Sequence, residues 1–152
     1  AGSACYNRAS YWAAQAETHL LAARAWVQFA AKNPDEAIAL MRRAIELEAT
    51  ADKEAVTPGE VLPAGDLLGD MLIEAGRPAN ALVAFEAVLA ASPNRLNTLY
   101  GAGLAAERTG DAAMAKKYYE QVAKVAADGD TGISRVEHAR AFLAKNGPGR
   151  SE

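Results

Sequence analysis

Small and apolar residues recur at helical spacing along most of this chain, in segments separated by short turns rich in glycine and proline. The segment at 33–48, NPDEAIALMRRAIELE, shows the pattern clearly, because Ala37, Met41 and Ala44 lie three or four residues apart on one face. A segment at 132–145 is amphipathic in the same way. No segment is predicted to be a strand, so the pattern predicts an all-α fold.

The apolar pattern contains a repeat. Four residues return 34 positions later: Gly69, Gly76, Ala81 and Phe85 correspond to Gly103, Gly110, Ala115 and Tyr119. Such a period is typical of stacked helical units. We therefore divide the chain into repeats at 62–95 and 96–129, with a less regular first repeat at about 18–49. The helix at 132–145 is expected to cap the last repeat, because an uncapped repeat exposes its apolar face.

Each repeat divides at a glycine turn into two helices. Gly76 and Gly110 are expected to end the first helix in a left-handed conformation. Pro78 suits the first turn of the next helix, where its missing N–H is not needed. Ser92, before Pro93, is predicted to be the N-cap of the following helix.

The small residues that recur in each repeat are expected to allow two helices to cross closely. Gly69 and Gly103 lie midway along the first helix of their repeats, where the second helix is expected to cross near the backbone. A bulky residue at Gly69 would overpack this crossing at a cost of about 1–3 kcal/mol.

The spacing of these small residues, aromatics and Pro93 resembles the tetratricopeptide repeat (TPR) family. The resemblance implies a right-handed solenoid of three helix pairs plus the capping helix. Gly65 and Leu99 depart from it, since the family often has tryptophan there, and Ala127 stands where it has proline.

The chain also resembles the C-terminal region of longer bacterial TPR proteins, through the segments YWAAQAE, VTPGEVLPA and SPNRLNTLYGAGLAAE. We expect a single domain at 9–145, with a flexible N-terminus or expression remnant at 1–8 and a flexible tail at 146–152. The insertion at 49–63 is expected to contain a type II turn at Thr57–Glu60, and either a structural or a functional role is open for it.

The helix before the first repeat turn, roughly Ser10 to Ala31, is longer than the family's. Its register is ambiguous, because Trp26 and Phe29 compete with Leu21 and Ala25 for the core. Bearing Trp12 as well, this helix could pack against a second copy or a missing upstream repeat.

Charge and composition exclude several classes of function. The net charge is −3, from 16 basic and 19 acidic residues. Residues of both signs are interspersed and form no basic face, which disfavours nucleic-acid binding. No apolar run is long enough to cross a bilayer. Cys5, the only cysteine, is expected to be a free thiol. We expect a soluble chain, in either the bacterial cytoplasm or an exported compartment.

No enzymatic motif is present, and we expect no catalytic residue, metal or cofactor. His19 and His138 lack partners at metal-ligand spacing, so a solvated or capping role is expected for each.

The TPR resemblance instead implies a concave groove lined by the first helix of each pair. Its candidate residues are Asp66, Asp70, Ile73, Glu74, Asn97, Tyr100, Leu104 and Arg108. Asp66 and Asp70 would form an acidic patch suited to a basic and apolar ligand, and would repel the C-terminal carboxylates that some TPR proteins bind. An ordinary solvated face remains the alternative. The sequence therefore favours a non-catalytic scaffold that binds an unidentified protein or peptide, with self-association through the long N-terminal helix as the second hypothesis.

Overall fold

The computed structural model describes residues 3–50, 62–129 and 132–146. These residues form seven helices, and no strand occurs among them. The helices are α1 (Ser3–Ala30), α2 (Pro34–Thr50), α3 (Ala64–Glu74), α4 (Pro78–Ala91), α5 (Leu96–Thr109), α6 (Ala112–Val125) and α7 (Ser134–Asn146). The turn predicted at Thr57–Glu60 and most of the predicted tail lie outside the described residues.

The chain divides into two compact units within α3, the first ending at Met71 and the second beginning at Leu72. In the first unit α1 packs along α2. Leu21 and Ala25 of α1 are buried, whereas Trp26 and Phe29 are half-exposed and contact each other edge to face. This arrangement resolves the ambiguous register of the first repeat in favour of Leu21 and Ala25.

The turn between α1 and α2 is closed without glycine. Lys32 has a left-handed φ of 66°, and the backbone N–H of Asn33 donates to the Gln28 carbonyl. The side-chain amide of Asn33 also donates to the Gln28 side chain at 2.9 Å. Pro34 then begins α2, as its fixed φ allows.

A backbone N–H at the start of α3 is hydrogen-bonded to a side chain 16 residues earlier in the chain. A carboxylate oxygen of Glu48, near the end of α2, accepts a hydrogen bond of 2.9 Å from the backbone N–H of Ala64. This contact satisfies one of the backbone donors at the helix start and places a negative charge near the partial positive charge there. It therefore ties the two ends of the insertion together.

In the second unit, α5 lies between α4 on one side and α6 and α7 on the other. Phe85 and Tyr119 are fully buried at its surface. A Cβ atom added at Gly103 would lie 2.5 Å from a ring carbon of Tyr119, and one added at Gly101 would lie 2.5 Å from Phe85. Both glycines therefore allow an aromatic ring to rest directly on the α5 backbone.

The predicted turn glycines are confirmed. Gly76 and Gly110 have φ values of 71° and 83°, which L side chains rarely adopt. Asp111 follows as the N-cap of α6, and its carboxylate accepts from the backbone N–H of Met114 at 2.9 Å. Pro78 stands in the first turn of α4, as predicted.

Ser92 is not the N-cap of α5, so that prediction was wrong. Residues 93 and 94 form a turn, and α5 begins only at Leu96, with Arg95 in the N-cap position. Ser92 instead ends α4, where its backbone N–H donates to the Val88 carbonyl. A serine before proline is compatible with the end of one helix or the start of the next. Here a turn follows Ser92, so α5 begins four residues later.

The two terminal helices differ from their predicted limits by unequal amounts. The helix predicted from about Ser10 begins at Ser3, so it includes part of the segment predicted as a flexible N-terminus. The capping helix predicted at 132–145 is α7, Ser134–Asn146. Val136 and Ala139 are the buried residues of α7.

Candidate binding face on α5 and α7

One face of α5 is left partly open and is bordered by α7. We call it the α5–α7 face, and define it by Asn97, Tyr100, Leu104, Glu107 and Arg108 of α5 with Arg135 and His138 of α7. The α5 residues are three or four positions apart, or adjacent, and therefore follow one side of the helix. Tyr100, Leu104 and Glu107 are half-exposed, and Asn97 and Arg108 are exposed.

The capping helix contributes side chains to this face. The Arg135 guanidinium donates a hydrogen bond of 2.6 Å to the side-chain oxygen of Asn97. The same guanidinium lies 5.8 Å from the centre of the Tyr100 ring, within the range of a cation–π interaction. Because Arg135 has five N–H donors, it retains donors for a ligand.

His138 joins the two helices at the centre of the face. Its Nδ1 and the Tyr100 hydroxyl share a hydrogen bond of 3.2 Å, and its Nε2 lies 3.8 Å from a carboxylate oxygen of Glu107. His138, expected to be solvated or capping, is 41% exposed, and these contacts with α5 are an additional role that the sequence did not indicate. His19, by contrast, is exposed.

Tyr119 of α6 holds the Glu107 side chain in position. Its hydroxyl donates a hydrogen bond of 2.7 Å to the Glu107 carboxylate, and its ring packs edge to face against Phe142. Burial raises the pKa of Tyr119 well above its usual range, and the hydrogen bond to Glu107 raises it further. The Tyr119 hydroxyl therefore stays protonated and donates its hydrogen bond to the Glu107 carboxylate well above neutral pH.

Burial also raises the pKa of Tyr100, with Arg135 and Arg108 opposing the shift and Glu107 adding to it. The neutral phenol offers a partner both a hydrogen-bonding group and an aromatic surface. Since its ring contacts those of Tyr119 and His138, Tyr100 is held in one orientation. The face is therefore ordered by its own contacts.

Arg108 lies at the far end of the face. One of its guanidinium nitrogens donates at 3.0 Å to the backbone carbonyl of Ile73. Ile73 itself, a candidate from the sequence, is buried and only 6% exposed, whereas Glu74 is exposed. The side chain of Ile73 therefore belongs to the core.

Of the two aspartates predicted to form an acidic patch on α3, only one lies at the surface. Asp70 is exposed, but Asp66 is only 6% exposed. The periodicity assumed that α3 buries one side, yet its first three residues, Ala64, Gly65 and Asp66, are all buried. Asp66 is therefore corrected from a surface candidate to a buried residue.

No group of three His, Cys, Asp or Glu side chains within the described ranges is placed to hold a metal ion. None of the helices described here is both long and apolar enough to cross a membrane.

Comparison with known proteins identifies the repeat. A sequence profile of the tetratricopeptide repeat matches residues 18–50 and 96–128, the regions of the first and third repeats. A search among curated proteins found no significant match.

Solved structures resemble the fold. PcrH from Pseudomonas aeruginosa is similar with a TM-score of 0.65 and 16% identity, covering 84% of this chain and 89% of that one. A TPR-like protein of Chlorobium tepidum has a TM-score of 0.62 and 19% identity, covering 91% and 99%. The Sgt2 TPR domain of Aspergillus fumigatus has the same TM-score and identity, covering 90% and 87%.

These findings confirm the predicted all-α fold of paired helices. Proteins of this fold are typically non-catalytic scaffolds for protein–protein interaction. The chain therefore contains two segments that match the tetratricopeptide repeat, within a fold similar to those of solved TPR structures.

Proposed function

We propose that this chain is a non-catalytic scaffold that binds a peptide or partner surface along the α5–α7 face. The observation that carries the proposal is Tyr100, which is half-exposed yet held in one orientation, with half-exposed Leu104 one helical turn away. Contacts with His138 and Arg135 orient the tyrosine before any partner arrives. Preorganisation of this kind favours affinity, because less conformational entropy is lost on binding.

The chemistry of the face suggests the character of the partner. Tyr100 and Leu104 provide an aromatic and an aliphatic contact one helical turn apart. Arg108 and Arg135 are exposed cations on the same face. With Asp66 buried, the basic ligand expected from the sequence is less well supported here than a segment bearing an apolar side chain and a carboxylate.

The proposal is tested by truncating one apolar side chain on the face and another away from it. Partners captured from a lysate by the wild-type chain are cross-linked, identified and purified, and their affinities are then measured by calorimetry. Leu104→Ala removes a contact from the face, and Val83→Ala removes an exposed apolar side chain from α4, where Val83 is 66% exposed. Both variants shorten an apolar side chain within a helix, which makes the second a matched control.

If Leu104 is an interface hot spot, Leu104→Ala weakens binding by about 30-fold, which corresponds to about 2 kcal/mol. Val83→Ala leaves the affinity unchanged. Circular dichroism of both variants establishes that they are folded. A partner that binds Leu104→Ala as tightly as the wild type contradicts the assignment of the face.

A further inference from the structure

The helix α1 has a second apolar side, opposite the one that packs on α2. Among residues 11–30 of α1, the buried residues, which lie on the side facing α2, are Gln15, Thr18, Leu21, Ala22 and Ala25. The outer stripe consists of six exposed apolar residues: Ala13, Ala16, Leu20, Ala23, Val27 and Ala30. Leu20 is 48% exposed and Val27 is 67% exposed. Trp12, 58% exposed, lies beside the stripe.

The spacing of the outer stripe is that of a coiled-coil seam. Successive residues are separated by three, four, three, four and three positions, which is the alternation of the two core positions in a heptad. At about 1.5 Å per residue, the stripe runs for roughly 25 Å along the helix. A seam of this length presents a matching surface to one other helix.

We propose that the outer stripe pairs with the same stripe of a second copy of the chain, with the two α1 helices antiparallel. The midpoint of the stripe falls between Leu20 and Ala23, so a two-fold axis there places Leu20 of each copy against Ala23 of the other. Val27 then faces Ala16, and Ala13 faces Ala30. Each large side chain meets an alanine, which lets the helices approach closely.

Charge complementarity supports the antiparallel orientation. Glu17 and Arg24 are exposed and flank the stripe on the same edge, seven residues apart. In an antiparallel pair, the residues at this heptad position lie beside each other across the seam. Glu17 of each copy therefore lies next to Arg24 of the other, which gives two ion pairs per dimer.

A parallel pair lacks both advantages. It would place Leu20 beside Leu20 and Ala16 beside Ala16, leaving large and small layers unmatched along the seam. The neighbours across a parallel seam would be His19 and Arg24, two groups that repel when the histidine is charged. The second copy in antiparallel orientation is therefore the occupant that fits the stripe. This inference is independent of the proposed function of the α5–α7 face.

The first test is the oligomeric state by sedimentation equilibrium. The wild-type chain is expected to dimerise reversibly at concentrations below about 1 mM, the weak end of protein association. Leu20→Glu/Val27→Glu is expected to be monomeric, and Val83→Glu on α4 is the control that leaves the dimer intact. A wild-type chain that stays monomeric, or a dimer that survives the double substitution, would overturn the proposal.

The second test is orientation by disulfide cross-linking in a Cys5→Ser background. A mixture of Ala13→Cys and Ala30→Cys proteins is expected to cross-link, whereas neither protein cross-links alone. Strong cross-linking of Ala13→Cys alone would show a parallel dimer and overturn the antiparallel assignment. Circular dichroism establishes that each variant is folded.

The third test exchanges the charges. Glu17→Arg is expected to raise the dimer dissociation constant about fivefold or more, since two attractive pairs become repulsive. Adding Arg24→Glu to the same chain restores the wild-type value. A double variant as weak as the single one would contradict the proposed ion pairs.

Discussion

The contact between Gly103 and Tyr119 offers a quantitative test of the helix crossing. Gly103→Ala would place a methyl carbon 2.5 Å from one ring carbon of Tyr119 and 2.7 Å from another. Optimal carbon–carbon separations are about 3.5–4.0 Å, so the ring would have to move by about 1 Å. Tyr119 is fully buried and its hydroxyl is hydrogen-bonded to Glu107, which leaves the ring little room to adjust.

The opposing effects can be compared in magnitude. Overpacking a core position costs about 1–3 kcal/mol, and a strained hydrogen bond to Glu107 adds roughly 1–2 kcal/mol. Replacing glycine by alanine within a helix gains about 1 kcal/mol. We therefore expect Gly103→Ala to lower the free energy of unfolding by about 1–4 kcal/mol, as measured by urea denaturation followed by circular dichroism.

A double-mutant cycle separates the collision from the change in helix propensity. Tyr119→Leu removes the ring that the new methyl group would meet, while the propensity gain at position 103 is unchanged. The cost of Gly103→Ala should therefore fall by at least about 1 kcal/mol in the Tyr119→Leu background. A Gly103→Ala protein that is more stable than the wild type by about 1 kcal/mol would refute the close crossing.

Two further predictions concern stability. Burial, together with the hydrogen bond to Glu86, raises the pKa of Tyr118 from 10.0 to about 12, so the unfolded chain ionises this group at lower pH than the folded one. The stability that Tyr118 contributes is thus fully present below about pH 10 and is lost as the pH rises towards 12. In denaturation experiments between pH 9 and 12, the free energy of unfolding should therefore fall less steeply with pH for Tyr118→Phe than for the wild type. Asp111→Ala should lower the free energy of unfolding by about 1 kcal/mol, because it removes the acceptor for the Met114 N–H, whereas Asp111→Asn should retain most of the stability; equal losses in the two would argue against capping.

The fold was predictable because its signal is local and repeated. A glycine at a helix end has the same meaning in each repeat, and Gly76 and Gly110 take the left-handed conformation assigned to them. The spacing of small residues likewise indicated where an aromatic ring crosses α5. It did not reveal that Gly101 lies beneath Phe85, because that contact joins α4 to the next repeat.

The candidate site was less predictable because it depends on contacts between distant residues. Tyr100 and His138 are 38 positions apart, and their hydrogen bond requires the approach of α7 to α5. The sequence identified α7 as a cap, which explains its apolar residues but not the roles of Arg135 and His138. Asp66 was placed at the surface wrongly, because helical periodicity cannot show that three successive residues at the start of α3 are buried.

Binding of a partner along the α5–α7 face should protect the backbone amides of that face. Amide hydrogen exchange, measured on the purified chain with and without the bound partner, tests it most directly. We expect slower exchange on binding in segments that cover 97–108 and 135–143, with little change along the exposed side of α4 around Val83. Protection confined to α4 or to the outer stripe of α1, with exchange in α5 and α7 unaltered, would contradict it.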